Sequence, residues 1–397
     1  MRRYLEVLRA PYVGALVSAT LLARFPIGVN ALAAVLYLRE RTGSFAVAGA
    51  VAGSLAAGSG VGAPVQGRLI DRLGARAVLV PLAAAHATAL GTLVGSAALG
   101  APAVVLVACG LAAGFAIPPT SSVLRSLWPE LLRERPDLVQ VAYALDSTMI
   151  ELIFITGPLL TAGIAAVASP AAALGLSAVS VVAGTVAFTA LPPARAVGAE
   201  RRPERRWLGA LASPGVRTLV LTSLPAGMGI GICEVGIPAF ARSQGVADAA
   251  GLLLAMWSLG SGAGGLLYGA LPNRPPLRRT HLLVAAALPL SIAPPLAASS
   301  LPTMALLVLP AGCCIAPLLA TRNELVSDVA PAGARTEAYT WPTTAFVGGI
   351  AIGSAAAGAL VDGPGWRAAF LVAVAAAAAG ALLVALRNHT LLAPVTS

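Results

Sequence analysis

Gly58-Ser59-Gly60-Val61-Gly62-Ala63-Pro64-Val65-Gln66-Gly67-Arg68-Leu69-Ile70-Asp71-Arg72 is followed, 202 residues later, by Gly260-Ser261-Gly262-Ala263-Gly264-Gly265-Leu266-Leu267-Tyr268-Gly269-Ala270-Leu271-Pro272-Asn273-Arg274. The two stretches share four glycines, a serine, a leucine and a terminal arginine at constant spacing, which marks an internal duplication. Both copies begin inside strongly apolar sequence. Over the whole chain of 397 residues, 58% are hydrophobic and 11% charged, whereas a water-soluble domain carries roughly a quarter charged residues. Most of this chain therefore faces something other than water, and a repeat of this size inside it predicts two related membrane-embedded halves.

A membrane-spanning helix needs about 20 apolar residues. Twelve such segments are present, at 11–38, 45–67, 77–98, 102–123, 140–166, 170–190, 215–241, 248–270, 281–298, 302–321, 337–361 and 366–386. The first is too long for a signal-peptide core and is read as a retained helix. With the N-terminus placed in the cytoplasm, all but Arg24, Arg39, Arg41, Arg242 and Arg367 of the 26 basic residues fall on the inner side. That asymmetry sets the expected orientation, with both termini inside, and it accounts for the net charge of +10 without nucleic acid.

The polar, arginine-rich stretch 192–214 divides the spans six and six. The expected organisation is a six-helix bundle over 1–191, a basic cytoplasmic linker over 192–214 and a second bundle over 215–397. Further matches between the halves support this division: Gly28 and Gly231, Gly114 and Gly312, Pro119 and Pro317, Tyr143 and Tyr339, Gly157 and Gly353. Their offset drifts from 203 to 196, as small loop deletions produce. The fold class expected is an all-α integral membrane protein of twelve transmembrane helices in two pseudo-symmetric six-helix bundles. Two parallel repeats of this kind permit alternating access by rocking one half against the other.

On these residues the chain resembles the major facilitator superfamily. Gly67-Arg68-Leu69-Ile70-Asp71-Arg72-Leu73-Gly74-Ala75-Arg76 is similar to the family's signature loop between its second and third helices, with Ala75 in place of one basic residue. The resemblance implies that Gly67, Arg68, Asp71, Arg72, Gly74 and Arg76 form an inner gate that latches the halves in the outward-facing state. The Asp71 carboxylate, with Arg68, Arg72 and Arg76 near it in sequence, can accept charge-assisted hydrogen bonds. The repeat partners Gly269 and Asn273 retain hydrogen-bonding capacity but lose the charge, which predicts a weaker second gate. In the fifth span, Gly157-Pro158 is similar to a degraded form of the motif common in exporters of the family.

Ionisable groups inside a membrane are expensive and mark function by default. Arg24 in the first span and Glu151 in the fifth lie at similar expected depth, which makes them a candidate ion pair and Glu151 a candidate proton carrier. Glu234 shares a helix face with Gly227, Gly231 and Pro238; a carboxyl group held away from water is suited to carrying a proton. Asp146, nearer the inner end of the fifth span, is expected to serve the gate with Arg125. Asn30, Gly28 and Gly231 are candidate cavity residues, and Tyr143, Tyr339 and Trp341 are read either as substrate contacts or as interface anchors. His86 is read as a hydrogen-bonded packing residue.

Composition also narrows the function. Cys109, Cys233, Cys313 and Cys314 show neither disulfide nor zinc spacing, no phosphate-binding Gly-Lys-Ser/Thr follows the glycine runs, and the three histidines His86, His281 and His389 adjoin no nucleophile motif. No cofactor, metal or enzymatic activity is expected. The expectation is a monomeric secondary transporter of the plasma membrane, exporting a small amphipathic organic solute in exchange for protons. Proton-coupled uptake, lipid flipping and a non-transporting sensor are the alternatives.

Overall fold

The computed structural model describes residues 2–198, 209–246, 249–271 and 275–392. Asn273, Arg274 and the core of the arginine-rich stretch, including Arg201, Arg202, Arg205 and Arg206, lie outside them. Among the described residues the regular structure is entirely helical, and twelve segments are long and apolar enough to cross a membrane. A short helix α1 (Arg2–Arg9) precedes the first span, α2 (Val13–Thr42). Then follow α3 (Phe45–Leu73), α4 (Ala75–Ala98), α5 (Ala103–Phe115), α6 (Thr120–Leu131), α7 (Val139–Val167), α8 (Pro170–Ala190) and the short α9 (Pro192–Ala196). The remainder comprises α10 (Pro214–Ser243), α11 (Ala250–Ala270), α12 (Leu277–Ile292), α13 (Leu301–Gly312), α14 (Ile315–Val329), α15 (Arg335–Asp362) and α16 (Trp366–Arg387).

Contacts divide the chain into two compact units, of which one holds 8–133 and 152–205 and the other 1–7, 134–151 and 206–397. In the first, α2 packs on α8, α3 on α5, and α4 on both α5 and α8. Its core is built from Val29, Leu38, Val51, Leu90, Leu106 and Leu174. In the second, α10 packs on α15 and α16, α11 on α13, and α12 on α14 and α16, around Ile232, Phe240, Leu253, Leu288 and Phe370. The helix α7 contributes its first half to the second unit and its second half to the first.

Lipid tails are as apolar as leucine, so these helices gain little by hiding apolar surface from lipid and must be held by close packing instead. The duplicated glycines provide it. The Leu111 carbonyl of α5 occupies the space a Cβ on Gly58 would need, and a Cβ on Gly62 would come within 2.5 Å of the Phe115 carbonyl. In the other unit Gly260 meets the carbonyl of Leu309 on α13 and Gly264 that of Cys313 just beyond its end, in the same way. The middle glycine of each copy, Gly60 or Gly262, faces open space. One repeat motif thus builds the α3–α5 seam and the α11–α13 seam.

The fourth and tenth spans are not continuous helices. The fourth breaks at 116–119, where Pro118 and Pro119 have no N–H to offer the preceding turn, and the tenth at Cys313-Cys314. Carbonyls freed by such a break must find donors inside the protein. His86 Nδ1 bonds the Ala113 carbonyl at 2.7 Å, and the Gln66 amide donates to Phe115 O. At the repeat-equivalent position, 198 residues on, the Ser291 hydroxyl reaches the Ala311 carbonyl at 3.4 Å.

Candidate functional site

The signature loop is the turn from α3 into α4. Asp71 and Arg72 lie in the last turn of α3, with Gly67 buried, Arg68 and Asp71 half-buried, and Arg72 and Arg76 exposed. Gly74 closes the helix by donating its N–H to Ile70 O at 2.8 Å. Its φ of 91° and ψ of 151° are conformations that side chains rarely tolerate. The next amide, Ala75 N–H, donates to the Val197 carbonyl beyond α9 at 3.2 Å. The loop is therefore braced within its own unit, and the glycine at 74 is required by the backbone.

The second copy is engaged differently. Tyr4 of α1 is buried, and its hydroxyl donates to the α11 carbonyls of Leu266 at 3.0 Å and Gly265 at 3.2 Å. The hydroxyl stands where a Cβ on Gly269 would be. Gly269, the repeat partner of Gly67, thus provides the niche for a tyrosine that sequence reasoning did not single out. Its signal was Tyr4 and Val7, three residues apart on one face of a short helix that carries four charged residues.

Two of the candidate carboxylates converge. Glu151 of α7 accepts a hydrogen bond from the Ser261 hydroxyl of α11 at 2.7 Å. Glu234 of α10 lies within electrostatic reach of Glu151. The Glu234 side chain is exposed on α10. The described hydrogen-bond partner of Glu151 is a serine inside the duplicated motif. Arg24, fully within α2, is buried and belongs to the other unit. Asp146 is completely buried on α7, and Arg125 is buried on α6.

Three cavity candidates are placed in packing seams instead. Asn30 Oδ1 accepts from the Ser177 hydroxyl at 2.5 Å, and its amide nitrogen meets His86 Nε2 at 3.1 Å. Because the Ala113 carbonyl can only accept, His86 carries its proton on Nδ1, and Nε2 accepts from Asn30. The chain Ser177–Asn30–His86–Ala113 is buried and leaves Asn30 little capacity for a solute. Gly28 is a contact residue too: a Cβ there would come within 2.5 Å of the Ile153 carbonyl. Gly157, of the exporter-like Gly157-Pro158 pair, lies directly against Gly28, with a Cβ 2.7 Å from that backbone. Gly231 is closed off by the Ile350 carbonyl of α15. Absent side chains here serve helix approach.

Tyr143 and Tyr339 neither anchor an interface nor face a cavity. These repeat-equivalent residues are both buried, and their hydroxyls share a hydrogen bond at 2.5 Å. Trp341 Nε1 donates to Glu337 Oε1 at 3.2 Å on the same helix. Among the described residues no group of three or more His, Cys, Asp or Glu side chains is arranged to hold a metal ion.

A duplicated bundle of twelve spans, with broken fourth and tenth helices and carboxylates inside the membrane, defines a polytopic membrane protein of the transporter class. The family model described as Major Facilitator Superfamily matches residues 16–288 and again 219–391, and the chain belongs to that superfamily. No curated protein matches the chain significantly in sequence. Solved structures match its fold over nearly the whole length. A bacterial homologue of the iron transporter ferroportin in the outward-facing state shares 15% identity over 95% of this chain and 99% of its own, with a TM-score of 0.76. The human organic anion transporter MFSD10 (TETRAN) shares 16% over 96% and 99%, with 0.67. The E. coli fucose:proton symporter FucP shares 12% over 96% and 99%, with 0.69. These likenesses establish the fold, and family membership makes this chain a multi-pass secondary transporter of a small solute.

Proposed function

We propose that the protein exports a small amphipathic organic solute across the plasma membrane in exchange for protons, as a monomer with both termini in the cytoplasm. The observation that carries this reading is the convergence of Glu151, Ser261 and Glu234 from three helices inside the membrane. Two carboxylates in mutual electrostatic reach, one of them accepting a hydroxyl hydrogen bond, can take up and release protons. A protonated pair is neutral and can cross the occluded step of the cycle; a charged pair holds the protein back until a proton or a cationic solute arrives.

The sparse polar inventory of the spans favours a lipophilic cargo over a sugar or dicarboxylate. Asp71 and the arginines Arg68, Arg72 and Arg76 serve as the inner gate of the first repeat, with Gly67 and Gly74 shaping it. The Gly28–Gly157 contact lets α2 and α7 slide against each other with little side-chain obstruction, which is what the exporter-like motif contributes.

The test is proton flux in proteoliposomes of purified wild-type protein, Glu151→Gln and Glu234→Gln, during addition of a panel of amphipathic cations and neutral compounds. Export by exchange gives a solute-triggered proton flux of antiport sign, lost in either variant. A flux of symport sign makes the protein an uptake system. No flux with any compound, from folded protein, removes proton-coupled export and leaves uniport or lipid flipping.

A further inference from the structure

Helix α1 has two faces with different business. Its inner face is pinned to the second unit: Tyr4 by the α11 carbonyls, Val7 by complete burial, and the charged residues by ion pairs. Arg3 Nη2 donates to the Asp137 carbonyl at 2.6 Å, with its Oδ2 3.7 Å away. Arg135 reaches Glu6 at 3.1 Å and Asp137 at 3.0 Å. These contacts hold the segment preceding the first span flat against the end of α11 and the start of α7.

The turn into the span is forced. Tyr12 has a φ of 65°, the one positive value at a non-glycine among the described residues. Such a conformation costs about 1 kcal/mol or more and persists only where the surroundings impose it. Here it sits at the junction of α1 and α2.

The outer face is built for something else. Arg2, Leu5 and Arg9 lie on one side of α1 at helical spacing, and Tyr12 follows at the turn. Arg2 is 94% exposed and Leu5 53%, and Arg9 and Tyr12 are exposed too. Around α1, Arg2, Arg3, Arg9 and Arg135 outnumber the carboxylates of Glu6 and Asp137, leaving an excess of positive charge. The segment runs straight into a membrane span and so sits at the bilayer–water boundary. Exposed arginines beside an exposed leucine and tyrosine at that depth match a headgroup layer: the cations meet phosphate, and the apolar groups enter the acyl boundary.

We propose that the outer face of α1 binds anionic phospholipid headgroups, and that this lipid holds α1 as a strap on α11. Lipid composition then controls how firmly the Tyr4 hydroxyl stays in the Gly269 niche. The proposal does not depend on what the protein carries or in which direction.

Amide hydrogen exchange of the peptide covering residues 2–9 tests it, in nanodiscs of phosphatidylcholine alone and of phosphatidylcholine with phosphatidylglycerol. Each arginine near an anionic surface adds attraction, so the exchange of this peptide is expected to slow about tenfold with the anionic lipid, and the effect to shrink at high salt. In Arg2→Gln/Arg9→Gln the lipid effect should vanish. In Tyr4→Phe the peptide should exchange faster in both discs while keeping its lipid response, which separates loss of the inner contact from loss of the outer one. Equal exchange of the wild-type peptide in the two discs overturns the proposal, as does a lipid effect that survives the double arginine variant.

Discussion

The two copies of the duplicated segment solve the same packing problem and then part company. In both, the first and third glycines seat a neighbouring backbone carbonyl, α5 against α3 and α13 against α11. The serine between them diverges: Ser59 donates to the Ala56 carbonyl of its own helix, whereas Ser261 donates to Glu151. The ends diverge further. The first copy runs into a charged, glycine-closed turn at Asp71 and Gly74, and the second offers Gly269 as a niche for Tyr4. Backbone contact distances leave no freedom at the glycines, so both copies keep them. Side chains pointing away from the seam are under no such constraint and can take on separate roles.

The comparison is most severely tested at the seams. Gly58→Leu and Gly260→Leu should each cost more than about 3 kcal/mol, since a side chain would have to displace main chain and not merely repack. Thermal unfolding in detergent should show both variants collapsing, with Gly262→Leu close to wild type. A tolerated change at one seam glycine would mean that the two seams are not equivalent.

The gate end should respond more modestly. Asp71→Asn gives the first copy the second copy's side-chain type, and in the proposed gate the loss of its charge should slow transport about tenfold or more without lowering the melting temperature. Solute counterflow measures this directly, and unchanged counterflow would remove Asp71 from the gate.

The capped helix breaks come next. His86→Ala removes the partner of the Ala113 carbonyl and of the Asn30 amide nitrogen, a loss of about 1 to 3 kcal/mol. Ser291→Ala should cost less than about 1 kcal/mol, because its bond to Ala311 is long and the hydroxyl also bonds Leu288 in its own helix at 2.8 Å. Equal losses would mean that the two breaks depend equally on their caps.

A comparably small effect belongs to the shared tyrosine bond. Tyr143→Phe and Tyr339→Phe should each lower stability by about 1 kcal/mol, and the double variant by little more than either, because both singles break the same bond. Additive losses in the melting curves would separate the two hydroxyls.

The spans, their number and the repeat were legible because apolar length and glycine spacing are one-dimensional signals. The loop around Gly74 was legible only through its resemblance to the family's signature, and its glycine-closed geometry came from the structure. Two kinds of residue were not. Asn30, Gly28 and Gly231 look alike whether they line a cavity or a seam, since both environments favour small or amide side chains on a buried face. Tyr4 and Ser261 gave almost no signal, because their partners, Gly269 and Glu151, are more than a hundred residues away in the chain. The break in the fourth span was hinted at by Pro118-Pro119, but continuous hydropathy across both the fourth and tenth spans hid the helix interruptions.

By itself the sequence determined that this chain lives in a membrane, crosses it twelve times and is duplicated, because a bilayer imposes length and composition on each span separately, and a duplication leaves fixed offsets. Only the tertiary structure decided which polar groups meet. It assigned Ser261 to Glu151, Asn30 to His86 and Ser177, Tyr143 to Tyr339, and Tyr4 to the niche at Gly269. Within lipid, where no water competes, a polar group settles on whichever partner packing brings within about 3 Å, and that choice is made by helix approach in three dimensions.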